Sequence, residues 1–330
     1  MTISRRKFLQ VAAGAAAIPA TSRIASAQTY PSRPILLIVP FPPGGSTDVA
    51  ARLAAEHMSR TLGQPIVIQN VSGAGGTVGS TRAMRATPDG HTILMGQMGT
   101  HAAAVSLYPN LAYKPDVDFE PIGMVTGFPL IIAARRDFPA RDLKEFMAYM
   151  KANHSKMNQA HAGVGSIFFT SCLLLNSLLE VNPTLVSFSG GAPAMTALVG
   201  GQVDYMCADI ITGGANLEAG RIKVFAIASA ARNPAMPNVP TSTEAGLPAF
   251  QVSAWNGLFA PKGTPKAAIN KLADALDKAL DDETTRKRML ILGCDIPDKA
   301  RRGPAPFHAL VKSEIKRWSP IIKAANVKLD

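Results

Sequence analysis

Between the apolar run Ile35–Val39 and an amphipathic stretch closing at Gly63 stands the segment Phe41-Pro42-Pro43-Gly44-Gly45-Ser46-Thr47-Asp48. The pattern predicts a parallel strand, a tight glycine turn and a helix N-terminus. Such a junction aims backbone N–H groups and the positive end of the helix macrodipole at one point, where an anion can sit without any Lys or Arg. It makes the turn a candidate anion seat and commits this part of the chain to strand–helix alternation.

The alternation continues. Thr47–Leu62 carries Val49, Ala50, Leu53, Ala54, Met58 and Leu62 at helical spacing; Ile66–Ile68 reads as a second strand, Gly73–Ala86 as a glycine-started helix and Thr92–Met95 as a third strand. Three short strands separated by helices imply a parallel sheet with right-handed crossovers. A second set begins after Thr126-Gly127-Phe128-Pro129, with strands at Leu130–Ala134, Asn158–Ala162, Leu185–Phe188, Val203–Cys207 and Val224–Ala228 and helices at Leu143–Lys151, Ser166–Leu179 and Ala194–Gly200. Val252–Phe259 reads as an extended return. Three helical stripes follow, the first with Thr264 as N-cap and Pro265 at its first position, the second over Arg286–Leu292, the third marked by Phe307, Leu310, Val311, Ile315 and Trp318. A chain of 330 residues exceeds what one core usually serves. The expected organisation is residues 28–128 in lobe 1, 129–251 in lobe 2, and 252–330 returning through a hinge to complete lobe 1. Two α/β lobes joined by two crossings enclose a cleft, the architecture of a solute-binding protein.

The N-terminus sets the compartment. Ser4-Arg5-Arg6-Lys7-Phe8-Leu9-Gln10 holds a twin arginine, Val11–Ala17 is apolar and small, and Ala25-Ser26-Ala27 is an A-x-A cleavage site, so residues 1–27 read as a Tat-type signal peptide. The alternatives are a Sec signal or an N-terminal membrane anchor, but the apolar stretch is too short to span a bilayer and Pro19 breaks it. Either signal implies export, and the twin arginine a bacterial periplasm. The formal net charge of +11 leans modestly toward small anionic solutes, while scattered Lys and Arg without interleaved aromatics argue against nucleic acid. The three cysteines, Cys172, Cys207 and Cys294, form no C-x-x-C. In an oxidising compartment Cys172 and Cys207 are a candidate pair that leaves Cys294 free; three free thiols are the alternative.

Enzyme signatures are missing: there is no G-x-x-x-x-G-K-[ST], H-E-x-x-H or G-x-S-x-G. The six histidines lack metal-ligand spacing, so no metal is expected; His101 and His161 fall in strand-to-helix regions but are not assigned to the site. Gly73-Ala74-Gly75-Gly76-Thr77-Val78-Gly79 imitates a dinucleotide fingerprint yet has Val78 where that motif needs glycine. Tight helix–strand packing explains those glycines, and a second anion-facing loop is the functional alternative.

Seven motifs recur in order: Phe41-Pro42-Pro43-Gly44-Gly45-x-x-Asp48, Gly73-Ala74-Gly75-Gly76, Pro88-Asp89-Gly90, Asp118-Phe119-x-Pro121-Ile122, Gly200-Gly201-Gln202-Val203-Asp204, Pro240-Thr241-x-x-Glu244-Ala245-Gly246 and Ala260-Pro261-x-Gly263-Thr264-Pro265. In these the chain resembles the Bug family, the periplasmic solute receptors of tripartite tricarboxylate transporters, over essentially all of its mature length. The resemblance implies a two-lobed Venus-flytrap fold of type II-like topology, no catalysis, no cofactor, transporter subunits as membrane partners and a monomeric receptor. It also implies that a carboxylate is gripped by a strand–turn–helix loop from each lobe: Phe41, Pro43, Gly44, Gly45, Ser46, Thr47 and Asp48 from one, Gly163, Val164, Gly165 and Ser166 from the other, with Ala192 in a further loop, Phe188–Pro193. Charge-assisted hydrogen bonds of roughly 1.5–3 kcal/mol each make such a grip sufficient without a buried arginine. Many relatives have Lys where Ser189 stands, and an acid where Ala208 stands. Here the acid comes one residue later, at Asp209, and a one-residue offset in a strand is expected to turn it from the ligand. A carboxylate ligand without an ammonium group is therefore expected. Two other readings stay open, an exported α/β oxidoreductase or cofactor-binding enzyme and a solute-binding partner of a sensor.

Overall fold

The structure, a computed structural model, describes residues 30–325. The signal peptide read in residues 1–27 lies outside them. Strand β1 (Ile35–Val39) is buried on both faces apart from half-buried Leu36, as a central parallel strand requires. It feeds helix α1 (Ser46–Leu62), whose buried residues include Ala50, Ala51, Leu53, Ala54, Met58 and Leu62. The helix stops at Gly63, which turns left-handed and returns its N–H to the Ser59 carbonyl at 3.1 Å. Strand β2 (Ile66–Asn70), helix α2 (Thr77–Met84) and strand β3 (Thr92–Gln97) complete the first set. Helix α2 is shorter than the glycine pattern suggests, because residues 74–76 form a separate 3-10 turn with positive φ throughout.

Strand β4 runs unbroken from Phe119 to Arg135. Here sequence and structure differ: Gly127-Phe128-Pro129 reads as a break, yet the strand passes through it. The proline is accommodated where β4 changes partners, pairing with β9 (Ser253–Pro261) up to Pro129 and with β7 (Tyr205–Asp209) from Leu130. The second set comprises α3 (Leu143–Asn153), β5 (Asn158–His161), α4 (Ile167–Leu179), β6 (Thr184–Ser187), α5 (Gly191–Val199), β7, α6 (Ile210–Glu218) and β8 (Ile222–Ile227). Three helices follow β9: α7 (Lys266–Asp281), α8 (Glu283–Ile291) and α9 (Pro304–Ala324). Thr264 does not cap α7. Its hydroxyl donates to the Pro261 carbonyl at 2.8 Å, and Pro265 takes the cap position.

The strand order is β2-β1-β3-β9-β4-β7-β5-β6, with β8 also on β4. β1, β2 and β3 are mutually parallel, as are β5, β6 and β7, while β9 is antiparallel to β3 and β4. Two α/β halves thus share one mixed, curled sheet and are joined by β4 and β9. Two buried clusters hold the molecule, one confined to the first half and one that runs from Leu94, Phe259 and Phe307 of the first half into the second. Ile35, Leu37, Leu53, Met58, Ile93, Leu258 and Leu272 fill one, and Ile131, Phe138, Phe146, Leu175, Tyr205 and Phe225 belong to the other. Helix α9 anchors the return by setting Phe307 against Trp255 and Phe259. Cys172, Cys207 and Cys294 are all buried free thiols. The candidate pair is not a disulfide: the Cys207 main-chain N–H donates to the Cys172 sulfur at 2.9 Å. Among the described residues no helix is long and apolar enough to cross a membrane.

Candidate functional site

The turn after β1 is built to leave amides free. Gly44, at φ 81, makes the sharp bend, and Gly45 takes the N-cap position of α1 with no side-chain oxygen over the first turn. Asp48 holds the turn from behind. Its carboxylate accepts from the Gly44 N–H at 3.0 Å, from Arg52 at 2.9 and 3.0 Å and from Asn70 at 2.9 Å. Burial pulls this carboxyl upward, but the hydrogen bonds from Arg52, Asn70 and Gly44 outweigh it and hold the group below the usual carboxylate range.

Two more helix N-termini from the other half meet this turn. Helix α5 begins at Gly190 with no side-chain cap, and α4 begins at Ser166, whose hydroxyl accepts from the Phe169 N–H at 3.2 Å. The cleft between them is narrow and opens to solvent at its mouth. Phe41, Pro43, Gly45, Ser46 and Thr47 form one wall, and Ser166 and Ala192 stand opposite. Among the described residues no lysine or arginine lines it. Dipoles and amides are therefore its only positive character, as the turn pattern implies.

Five of the expected residues sit elsewhere. Gly44 and Asp48 shape the turn without lining the cleft, while Gly163, Val164 and Gly165 are used in contact between the halves. A Cβ on Gly75 would fall 1.7 Å from the Val164 carbonyl oxygen, and one on Gly99 would fall 2.2 Å from that of Gly165. Main chain here meets main chain. Sequence pattern also misses Pro42, Gln97, Ala162, Ile167, Phe168 and Gly191, all of which line the cleft. Pro42 and Gly191 fall inside two loops singled out from sequence, and Gln97 stands out as a polar residue closing β3; Ala162, Ile167 and Phe168 carry no signal.

His101 and His161 are buried and do not line the cleft. His101 stacks on Phe259 at 4.1 Å, and burial pushes its imidazole down to about 3. Among the described residues there is no cluster able to hold a metal ion. Asp209 does not line the cleft. It ends β7 and caps α6, accepting from the Thr212 N–H at 2.7 Å, and its carboxyl stands beside the Ser46 hydroxyl of the opposite half.

A two-lobed sheet with a cation-free cleft walled by helix N-termini defines a solute-binding protein of the periplasmic-binding-protein fold. The model of the tripartite tricarboxylate transporter family receptor matches residues 50–327. The chain belongs to that family, and with it to the Bug group of carboxylate receptors serving such transporters. It is similar to the malate-bound MatC of Rhodopseudomonas palustris, with 49% identity, 89% of this chain and 100% of that one covered, and a TM-score of 0.87. The periplasmic binding protein BugD is 40% identical, over 91% of this chain and 99% of that one, with a TM-score of 0.87. BugT of Bordetella pertussis is 35% identical over 314 residues, 92% of this chain and 93% of that protein.

Proposed function

We propose that this chain is exported by the twin-arginine signal of residues 1–27 and works in the periplasm as a monomeric receptor for a small dicarboxylate. Lobe 1 is residues 28–128 completed by 252–330, and lobe 2 is 129–251. One carboxylate of the ligand takes hydrogen bonds from the first-turn amides of α1 and α5 and from the hydroxyls of Ser46, Thr47 and Ser166. Phe41, Pro43 and Ala192 close around its carbon chain, and Gly44 and Asp48 set the geometry of the turn. Gly163, Val164 and Gly165 serve the shut form of the receptor.

The observation that carries this reading is the convergence of helix N-termini from both halves on a cleft without basic side chains. The malate bound to the 49%-identical MatC supports the ligand class. A ligand that binds only the folded form raises the melting temperature. A thermal-shift screen of the mature protein against mono-, di- and tricarboxylates should give its largest rise with a dicarboxylate. No rise with any acid, or a rise confined to amino acids, overturns the proposal.

A further inference from the structure

Behind the residues that line the cleft, toward the hinge, the protein buries polar atoms that it does not satisfy. Asn256, on hinge strand β9, is fully buried, and neither its Nδ2 nor its Oδ1 has a partner. Asp209 is likewise fully buried, and neither its Oδ2 nor the Thr212 hydroxyl makes a well-formed hydrogen bond, although the Ser46 and Thr212 hydroxyls stand close enough to the carboxyl to lower it. Native structures rarely leave such groups alone, because a buried donor or acceptor without a partner forfeits the hydrogen bonds it had in water.

Register puts these atoms together and next to the cleft. Asn256 is paired across the sheet with Gln97 of β3 and with Thr126 of β4. Directly opposed residues of antiparallel strands project from one face, so Gln97, Asn256 and Thr126 form a row, and Gln97 at its end lines the cleft. Asp209 approaches from the other half, beside Ser46, which also lines the cleft. The thiol of Cys294 lies near both Thr126 and Asp209 and ties the two sides to one place.

The unmet atoms are of mixed kind. Asn256 Nδ2 needs an acceptor, Asn256 Oδ1 needs a donor, and the Thr212 hydroxyl takes either. A second carboxylate supplies acceptors only and brings another negative charge toward Asp209. A hydroxyl supplies a donor and acceptors and brings no charge. We propose that Asn256 and Asp209 read a hydroxyl group on the bound acid, so that the receptor selects hydroxycarboxylates over the same acids without the hydroxyl. This rests on the carboxylate-receptor reading above and adds the chemistry of a group on the ligand's carbon chain, beside its carboxylates.

Titration calorimetry on the mature protein with three matched pairs tests it: succinate with malate, glutarate with 2-hydroxyglutarate, and propane-1,2,3-tricarboxylate with citrate. In at least one pair the hydroxy acid should bind about tenfold or more tighter, since a site built to bond a hydroxyl rejects its absence. Asn256→Ala should bring that ratio to within about threefold by weakening the hydroxy acid more than its partner. Asp209→Asn, which keeps a helix-capping oxygen, should narrow the ratio as well and decides the question if Asn256→Ala does not fold. A ratio near one in the wild type, or one unchanged in the variants, overturns the inference and leaves the receptor reading standing. Absence of binding by all six acids overturns both.

Discussion

Tyr108 of the first half donates its phenolic hydrogen to the Val164 carbonyl of the second at 2.5 Å, while the Ala74 carbonyl on its own side lies 3.0 Å away. One proton serves two acceptors, and the shorter contact crosses between the halves. A neutral hydrogen bond contributes about 0.5–1.5 kcal/mol net. Tyr108→Phe should therefore weaken ligand binding about two- to tenfold, chiefly through faster release. Stopped-flow dissociation checks this, and an unchanged off-rate removes Tyr108 as a latch.

Gly75 tests the same contact by steric means. Its added Cβ would lie 1.7 Å from the Val164 oxygen, and main-chain atoms on both sides leave no side chain to move aside. Gly75→Ala should hold the halves apart, lowering affinity about a hundredfold or more because the binding-competent form becomes rare. Its scattering radius with ligand should exceed that of the wild type. Wild-type affinity in this variant would mean that the contact is not part of the bound form.

Asp48 should matter more for the turn than for direct ligand contact. Asp48→Ala strips hydrogen bonds from the Gly44 N–H and the Asn70 amide and leaves Arg52 without its ion pair. We expect a loss of about 1–3 kcal/mol in urea unfolding together with weaker binding. A variant of full stability would show that the glycine turn holds without its carboxylate strut.

His101 makes stability depend on pH. Its folded imidazole stays neutral to about 3, whereas in the unfolded chain it titrates near 6.5. Below that unfolded value the open chain takes up a proton that the fold refuses. Stability present at neutral pH is thus lost as pH falls, at up to about 1.4 kcal/mol per pH unit. Burial lowers His161 in the same sense, while Asp209, raised by burial, takes up its proton in the fold before the open chain does and opposes the trend. His101→Gln should shrink the loss measured between about pH 7 and about pH 5; an equal loss in both proteins rules His101 out.

The thiols give a direct chemical check. With Cys172, Cys207 and Cys294 buried and free, a thiol reagent should react slowly with the native protein and with all three cysteines after unfolding without reductant. Reaction at only one would restore the Cys172–Cys207 bridge.

Sequence periodicity locates most strands and helices because local propensity and burial agree there. Ile35–Val39 and Leu62-Gly63 carry clear start and stop signals, and the structure uses them as such. Pattern fails where tertiary pairing decides. Gly127-Phe128-Pro129 looks like a break because the exchange of β9 for β7 beside it is a long-range event with no local signature. The site is legible on one side only. The turn from Phe41 to Thr47 announces itself through its glycines, but Gly163-Val164-Gly165 carries the same signal and is used for contact between the halves. Asn256 is invisible for a different reason: a lone amide in an apolar strand acquires meaning only from the residues that register sets beside it.

Because β4 crosses the molecule as one unbroken strand, opening is the flexing of a ribbon and not the slackening of a tether. A ribbon yields more readily out of its plane than within it, which favours bending over sliding between the halves. A partner holding both halves would therefore feel a change in the angle between them, because the strand transmits the bend of one half to the other.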